Sequence, residues 1–484
     1  MIQFNTGDLV WLLPEIILFV TASAVVLMSV IVRPQARPGL AALAVIGALA
    51  AGWAAYGLRD GNVELFSRMV IVDPFATYFR YLFVLAVLGG VLLSVRTLET
   101  EGGNRSEYYG LMLFAAIGMM VMAEAGDLLM VYIGLELMSL SLYVLAGFYR
   151  RETRSNEAAI KYFILGTLAS GVFVYGLSLL YGLTGTTSIR AIGEAVAAGG
   201  LSRPALVLAV AMVGTAFAFK VSAVPFHMWT PDVYEGAPTP VTAFMSVGPK
   251  AAGFAVFLRV FLEAFPAAQP DWNNFAIVLS ILTMAVGNVI AIAQTSVKRM
   301  LAYSSIGHAG YILIGLVGGT AAGAGAVLFY LLMYTITNLG AFGILVVLQR
   351  EKGRVETLDD FAGLGKTHPA AALGMLVFLF SLTGIPPMAG FFGKFYLFTA
   401  AVQAGYVWLA VVGVLMSAVS AFYYLRVVLA MYMQEPVGIG GGAGEPMPQP
   451  RAVLAVTIAA FLTVGIGILL NPLLSLAAAS LPKM

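Results

Sequence analysis

The chain has 484 residues, of which 60% are hydrophobic and only 10% charged; its net charge is +2 and its mean hydropathy +0.93. A soluble domain carries roughly 25% charged residues, so the composition describes a polytopic membrane protein whose first partner is the lipid bilayer, with nothing that points to nucleic acid. The sequence contains no cysteine, which excludes cysteine-ligated iron–sulfur clusters, thiolate zinc and disulfides within this chain.

The N-terminal stretch MIQFNTGDLVWLLPE lacks a basic n-region and a cleavage site, so the first apolar run is expected to be a retained span. Apolar runs long enough to cross a bilayer occur at about 9–32, 39–58, 70–95, 108–123, 127–149, 158–183, 204–226, 239–264, 273–296, 300–318, 322–348, 369–403, 406–432 and 451–478. Each approaches the roughly 20 residues that a spanning helix requires. The expected fold is therefore all-α, with about fourteen transmembrane helices. Run 369–403 is too long for one straight helix and contains Gly384, Pro386, Pro387 and Gly390, so span 12 is read as broken. Span 7 is read the same way because Pro225 follows Lys220. The glycine-rich stretch 438–446 has no GK[ST] and no preceding strand, and reads as a linker rather than a phosphate loop.

Fourteen spans put both termini on one side. Fourteen arginines and lysines fall in one set of loops and six in the other. The positive-inside rule makes the richer set cytoplasmic and both termini periplasmic. Spans 7 and 12 lie five spans apart and enter from opposite sides, the arrangement that two inverted five-helix repeats would give. The expected division is 1–106 for spans 1–3, 107–265 for the first repeat, 266–433 for the second, and 434–484 for the linker and last span.

A charge at the bilayer centre costs about 2.5–3.5 kcal/mol on insertion scales and is a functional candidate by default. Glu136 lies nine residues past Asp127, roughly 13 Å into span 5. Tyr132, Glu136, Ser139 and Tyr143 fall at helical spacing and form one inward polar stripe. Lys220 is the natural cationic partner of Glu136, in a transfer pair or in a structural one, unless it snorkels to the interface. Lys250 follows Pro249, which cannot donate to the carbonyl of Met245, so the helix loosens where the lysine sits. That marks either a water-lined path or a packing kink. Lys394 follows a double proline that strips the carbonyls of Leu382 and Thr383 of their usual donors. Those carbonyls need water or side chains. His308 shares a stripe with Ser304 and Tyr311 and is either a relay between Lys250 and Lys394 or a hydrogen-bonded core histidine. His227, at the end of span 7, reads equally as a cap or a gate, and His368 as a loop residue. Lys161 is either a snorkelling residue or an electrostatic modulator of Lys220.

The segments DLLMVYIGLELMSLSLYVLAGF, FKVSAVPFHMWTPDVYEGAPTPVTAFMSVGPKAAG, KRMLAYSSIGHAGY and SLTGIPPMAGFFGKFYLF resemble the antiporter-like membrane subunits of the proton-translocating NADH–quinone oxidoreductase, respiratory complex I. Within that group they are most similar to the subunit N family, whose mitochondrial counterpart is subunit 2. The resemblance covers most of the chain and is strongest over spans 4–13. It implies fourteen helices with two inverted five-helix repeats. It also implies that Glu136 and Lys220 are the pair of the first half-channel, Lys250 the central protonation site, and Lys394 the exit toward the periplasm. Lys161 and His308 match further family positions. The same resemblance implies no cofactor in this chain; NADH, FMN, iron–sulfur clusters and quinone belong to the whole complex. The implied partners are the antiporter-like subunit M and the small subunit K, in a bacterial inner membrane. Subunits of multisubunit cation/proton antiporters share this core and are the alternative. The resemblance to subunit M and its antiporter counterpart implies glutamate on span 12, so Lys394 favours subunit N.

Overall fold

The computed structural model describes residues 6–32, 38–100, 106–349, 355–436 and 449–481. The stretch 438–446 lies outside the described residues, as do Arg33, Arg37, Arg105, Arg350, Lys352, Arg354 and Lys483 from the orientation argument. The first spans are α1 (Leu13–Ile31), α2 (Pro38–Gly57), α3 (Pro74–Thr100), α4 (Glu107–Glu124), α5 (Leu128–Ala146) and α6 (Thr153–Thr184). The short α7 (Ile189–Ala198) precedes α8 (Arg203–Lys220), α9 (Trp229–Gly236), α10 (Thr239–Met245) and α11 (Gly248–Glu263). Then come α12 (Gln269–Ile292), α13 (Val297–Ile314), α14 (Ala321–Val347), α15 (Leu364–Thr367), α16 (Pro369–Thr383) and α17 (Ala389–Gln403). The chain closes with α18 (Val407–Met433), α19 (Pro450–Ile468) and α20 (Leu470–Ala479).

Every one of the fourteen apolar runs contains helix. Among the described residues, twelve helices are long and apolar enough to cross a membrane, or thirteen if the bent pair Asp359–Thr367 and Pro369–Thr383 counts as one span. The difference from fourteen has a physical origin. Lys298, Arg299 and His308 dilute the apolar content of α13, and span 12 is divided into α16 and α17, each only 15 residues long. Span 7 ends at Lys220 and resumes as α9, and span 8 is interrupted between α10 and α11. One element was not legible in the pattern: an antiparallel hairpin of β1 (Val63–Leu65) and β2 (Val70–Val72), in the register Val63↔Val72.

The helices sort by exposure. Over α10 and α11 an apolar window of 18 residues is wholly enclosed by protein, whereas only 28% of the corresponding window of α6 is. Lys250 therefore sits on the most sheltered helix of the chain. Helices α4 and α5 approach closely because Gly118 faces Gly134. A Cβ on Gly118 would lie 2.5 Å from the Met138 amide nitrogen and 2.6 Å from the Gly134 carbonyl oxygen. Gly118→Val is expected to cost about 1–3 kcal/mol by overpacking, seen as a lowered thermal midpoint of the assembled complex. Gly171→Ala, with nothing within 4 Å of its added carbon, is the control; equal midpoints for the two variants would refute the close-approach argument.

Candidate functional site

The first cluster joins α5, α6 and α8. Asp127 caps α5 by accepting from the Leu129 amide (2.8 Å) and from the Thr187 hydroxyl (2.7 Å), which fixes the helix that carries Glu136. Glu136 is half-buried and accepts a hydrogen bond from Ser170 on α6. Lys220 is 4% exposed, which rules out snorkelling. It donates to Ser139 Oγ at 2.7 Å and faces the rings of Phe219, Tyr143 and Tyr162 at 5.6, 6.0 and 6.0 Å. Glu136 and Lys220 are not in direct ionic contact. Each instead takes a serine, and Ser139, one helical turn from Glu136, stands on Lys220. The Ser139 hydroxyl accepts from Lys220 and donates to the Leu135 carbonyl, so the two charges sit one turn apart along α5 without a shared hydrogen bond.

The second cluster surrounds Lys250, which is 1% exposed. Its Nζ donates to the Ser305 carbonyl and hydroxyl, both at 2.5 Å, and Tyr334 donates to the same hydroxyl at 2.8 Å. The orphan carbonyl of Met245 is satisfied by the Tyr234 hydroxyl at 3.2 Å. Ser305 lies three residues before His308 on the same face of α13, and Tyr334, which bonds Ser305, has its ring 5.3 Å from that of His308. His308 Nδ1 is 2.6 Å from the Tyr330 hydroxyl, and Nε2 is 3.0 Å from the Tyr424 hydroxyl. Tyr424 also bonds Ser304.

The third cluster closes the break in span 12. Gly384 adopts φ +91° at the end of α16, a backbone region open to glycine. Lys394, 4% exposed, reaches back across this break and donates to the Thr383 carbonyl at 2.9 Å and to Ser417 at 2.8 Å. Ser417 donates to that carbonyl as well, at 3.1 Å. The orphan carbonyl of Thr383 is thus met by side chains, one of them the candidate lysine. Lys394 also lies 4.6 Å from the centre of the Tyr311 ring, within cation–π range. Tyr311 accepts from Asn288, which in turn accepts from Tyr423, both at 3.0 Å.

Lys161 and His227 lie apart from this line. Lys161 is partly exposed and pairs with Asp232 (2.6 Å) and Glu157 (2.7 Å). Asp232 also binds Arg299 at 2.9 Å, and Arg299 binds Glu235 at 2.5 Å. One carboxylate on α9 therefore ties α6 to α13. His227 is half-buried, and its Nδ1 has no hydrogen-bond partner among the described residues. His368 sits between α15 and α16 as expected.

Two groups were missed in the sequence. Tyr330, Tyr334, Tyr424 and Ser305 read as ordinary span residues, yet they fill the interval between Lys250 and Lys394. The available signal was the four-residue spacing of Tyr330 and Tyr334, since a buried tyrosine hydroxyl usually finds a partner. The second group is an ionic core. Arg80, with 0% exposure, donates through Nε to Glu15 (2.9 Å) and Glu124 (2.7 Å), and through Nη2 to Glu15 (3.0 Å) and the Trp11 carbonyl (2.9 Å). Beside it, Arg259 holds Asp73 at 2.9 and 3.0 Å and the Ala123 carbonyl at 2.9 Å. Glu15 and Glu124 sit at helix ends, where charge is unremarkable in a sequence.

A family described as "NADH:quinone oxidoreductase/Mrp antiporter, TM" matches residues 125–420, which include all seven candidate residues named above. The chain is 51% identical over 432 residues to NADH-quinone oxidoreductase subunit N of Trichlorobacter lovleyi, covering 89% of each. It is 48% identical over 455 residues to NADH-quinone oxidoreductase subunit N 2 of Rhizobium meliloti, covering 94% of each. Its structure is similar to a chain of respiratory complex I from Thermus thermophilus with bound aureothin, with TM-score 0.81 and 36% identity over 96% of this chain and 99% of that one. A chain of the Mrp complex from a Dietzia species matches with TM-score 0.85 at 23% identity, covering 98% and 97%, a likeness of fold alone. The chain thus belongs to the NADH:quinone oxidoreductase/Mrp antiporter membrane family and, within it, to subunit N of NADH-quinone oxidoreductase, respiratory complex I.

Proposed function

We propose that protons cross the membrane through this chain along Glu136, Lys220, Lys250, His308 and Lys394, driven by NADH oxidation and quinone reduction in other subunits. The observation that carries the proposal is a row of three polar groups in ring contact: Lys250 with Ser305 and Tyr334, then His308 with Tyr330 and Tyr424, its ring 5.3 Å from that of Tyr334 and 5.7 Å from that of Tyr311, then Lys394 over the Tyr311 ring. Hydroxyl and imidazole groups can each accept a proton on one side and release one on the other. Separation of Glu136 from the Ser139–Lys220 contact removes the counter-charge of Lys220, whose proton then moves to Lys250 and onward. Lys161 acts on this path only through Asp232 and the segment after the break in span 7, and His227 gates rather than caps.

The setting is a bacterial inner membrane, with both termini periplasmic and two inverted repeats at 107–265 and 266–433. Antiporter-like subunit M and the small subunit K are the neighbours that deliver the signal. NADH, FMN, iron–sulfur clusters and quinone reside in other chains. His308→Leu in the assembled complex, reconstituted in vesicles, is expected to lower proton translocation through this chain by about tenfold, since a positioned acid–base group is worth that or more. Translocation per NADH equal to wild type would exclude the path.

A further inference from the structure

Away from the lysine line, α3 and α19 diverge at one end and leave a cavity of about 320 Å³, within the size range of small-ligand sites. Its polar lining is Arg96, Glu99, Gln449 and Arg451. Glu99 pairs with Arg96 at 3.0 Å, and among the described lining residues two guanidinium groups stand with one carboxylate. Gln449 is 4% exposed; its Nε2 donates to the Val346 carbonyl at 2.6 Å, which fixes the amide, and its Oε1 has no partner among the described residues. The residue that follows, Pro450, opens α19, whose first-turn amide groups add partial positive charge at the same place.

Below this cavity lies a second one of about 170 Å³ between α3, α14 and α19, with Leu92 in the walls of both. Its lining is wholly apolar and includes Leu85, Leu88, Leu339, Ala455 and Ile458. From Leu92 to Leu85 the groove follows α3 for about 10 Å toward the membrane centre. A basic mouth joined to an apolar trench within the membrane matches an anionic headgroup on an acyl chain. The mouth lies at the end of the protein that the arginine and lysine distribution makes cytoplasmic, where anionic lipid meets basic pockets between helices.

We propose that this compound cavity is a specific site for one anionic phospholipid with a hydroxyl-bearing headgroup. Arg96, Arg451 and the α19 N-terminus hold the phosphate, Gln449 Oε1 accepts a headgroup hydroxyl, and one acyl chain lies along Leu92 and Leu88. The site is independent of the proton path.

The test uses the assembled complex in nanodiscs, titrated with phosphatidylglycerol or with phosphatidylcholine of the same chains, with bound lipid counted by native mass spectrometry. Wild type is expected to retain one phosphatidylglycerol more than R96Q/R451Q, whose affinity for that lipid falls about tenfold; each basic residue near an anionic surface contributes a factor of roughly five, and the Arg96–Glu99 pair offsets part of it. Phosphatidylcholine retention does not change. Ala455→Phe, which fills the trench at a partly exposed position, is expected to displace the same lipid with both arginines intact; Ala455→Leu serves if the larger side chain prevents assembly. Equal phosphatidylglycerol retention in R96Q/R451Q overturns the proposal. So does unchanged retention in the trench variant together with competition by inorganic phosphate, which would make the cavity a site for free anions.

Discussion

Lys250→Ala is expected to reduce proton transport through this chain by roughly a hundredfold, the scale of a lost acid–base group, while the complex still assembles. Lys250 Nζ supplies the hydrogens that bind the Ser305 carbonyl and hydroxyl. Ser305 and Tyr334 can pass a proton but neither can hold one as a stable cation near neutral pH, so the alanine variant keeps the conduit and loses its store. Assembly survives because the substitution removes a buried charge that no carboxylate contacts. Vesicles containing the variant complex, energised by NADH and read with a pH-sensitive dye, provide the measurement. Lys366→Ala is the control, since that side chain is exposed and pairs with Glu435 at 2.7 Å on the surface. Equal pumping by the two variants would show that Lys250 is a packing element.

Arg80→Leu is expected to destabilise the protein by about 3–5 kcal/mol, the cost of removing one partner from a buried charge cluster. Arg80 binds two carboxylates and a backbone carbonyl at once, and its removal strands Glu15 and Glu124 in the interior between α1, α3 and α4. The triple variant E15Q/R80L/E124Q is expected to recover much of the loss, because neutral amides need no counter-charge. Thermal unfolding of the assembled complex distinguishes the cases; a triple variant no better than Arg80→Leu would mean that the cluster acts through shape rather than charge.

The features of this molecule divide by the range over which their causes act. Each span was legible because twenty apolar residues report a bilayer directly. The breaks were legible because proline removes a donor at a known carbonyl, and the structure meets that need at Met245 with Tyr234 and at Thr383 with Lys394 and Ser417. The lysines and Glu136 were legible because an ion in an apolar run stands out. What joins them was not. Whether Lys220 meets Glu136 or Ser139 depends on rotamers and on the spacing of α5 and α8, which no local pattern encodes. The tyrosines around His308 come from α14 and α18, separated by roughly ninety residues, and are chemically ordinary in an aromatic-rich membrane chain. The ionic core at Arg80 escaped notice for the opposite reason, since its acids occupy helix ends where solvent contact is the default.

The enclosure of α11 along Gly248–Leu262 has a consequence for how the protein meets different bilayers. A change in hydrocarbon thickness acts first on helices that touch lipid, which answer by tilting or by distorting the bilayer. Here the helices least enclosed by the chain itself include α2, α6, α18 and α19, each under half enclosed. The helix bearing Lys250 has no lipid contact through which such a strain could be applied. Its register against Ser305 and Tyr334 is therefore set by protein packing alone, and the centre of the proposed path keeps its geometry when the surrounding membrane thins or thickens.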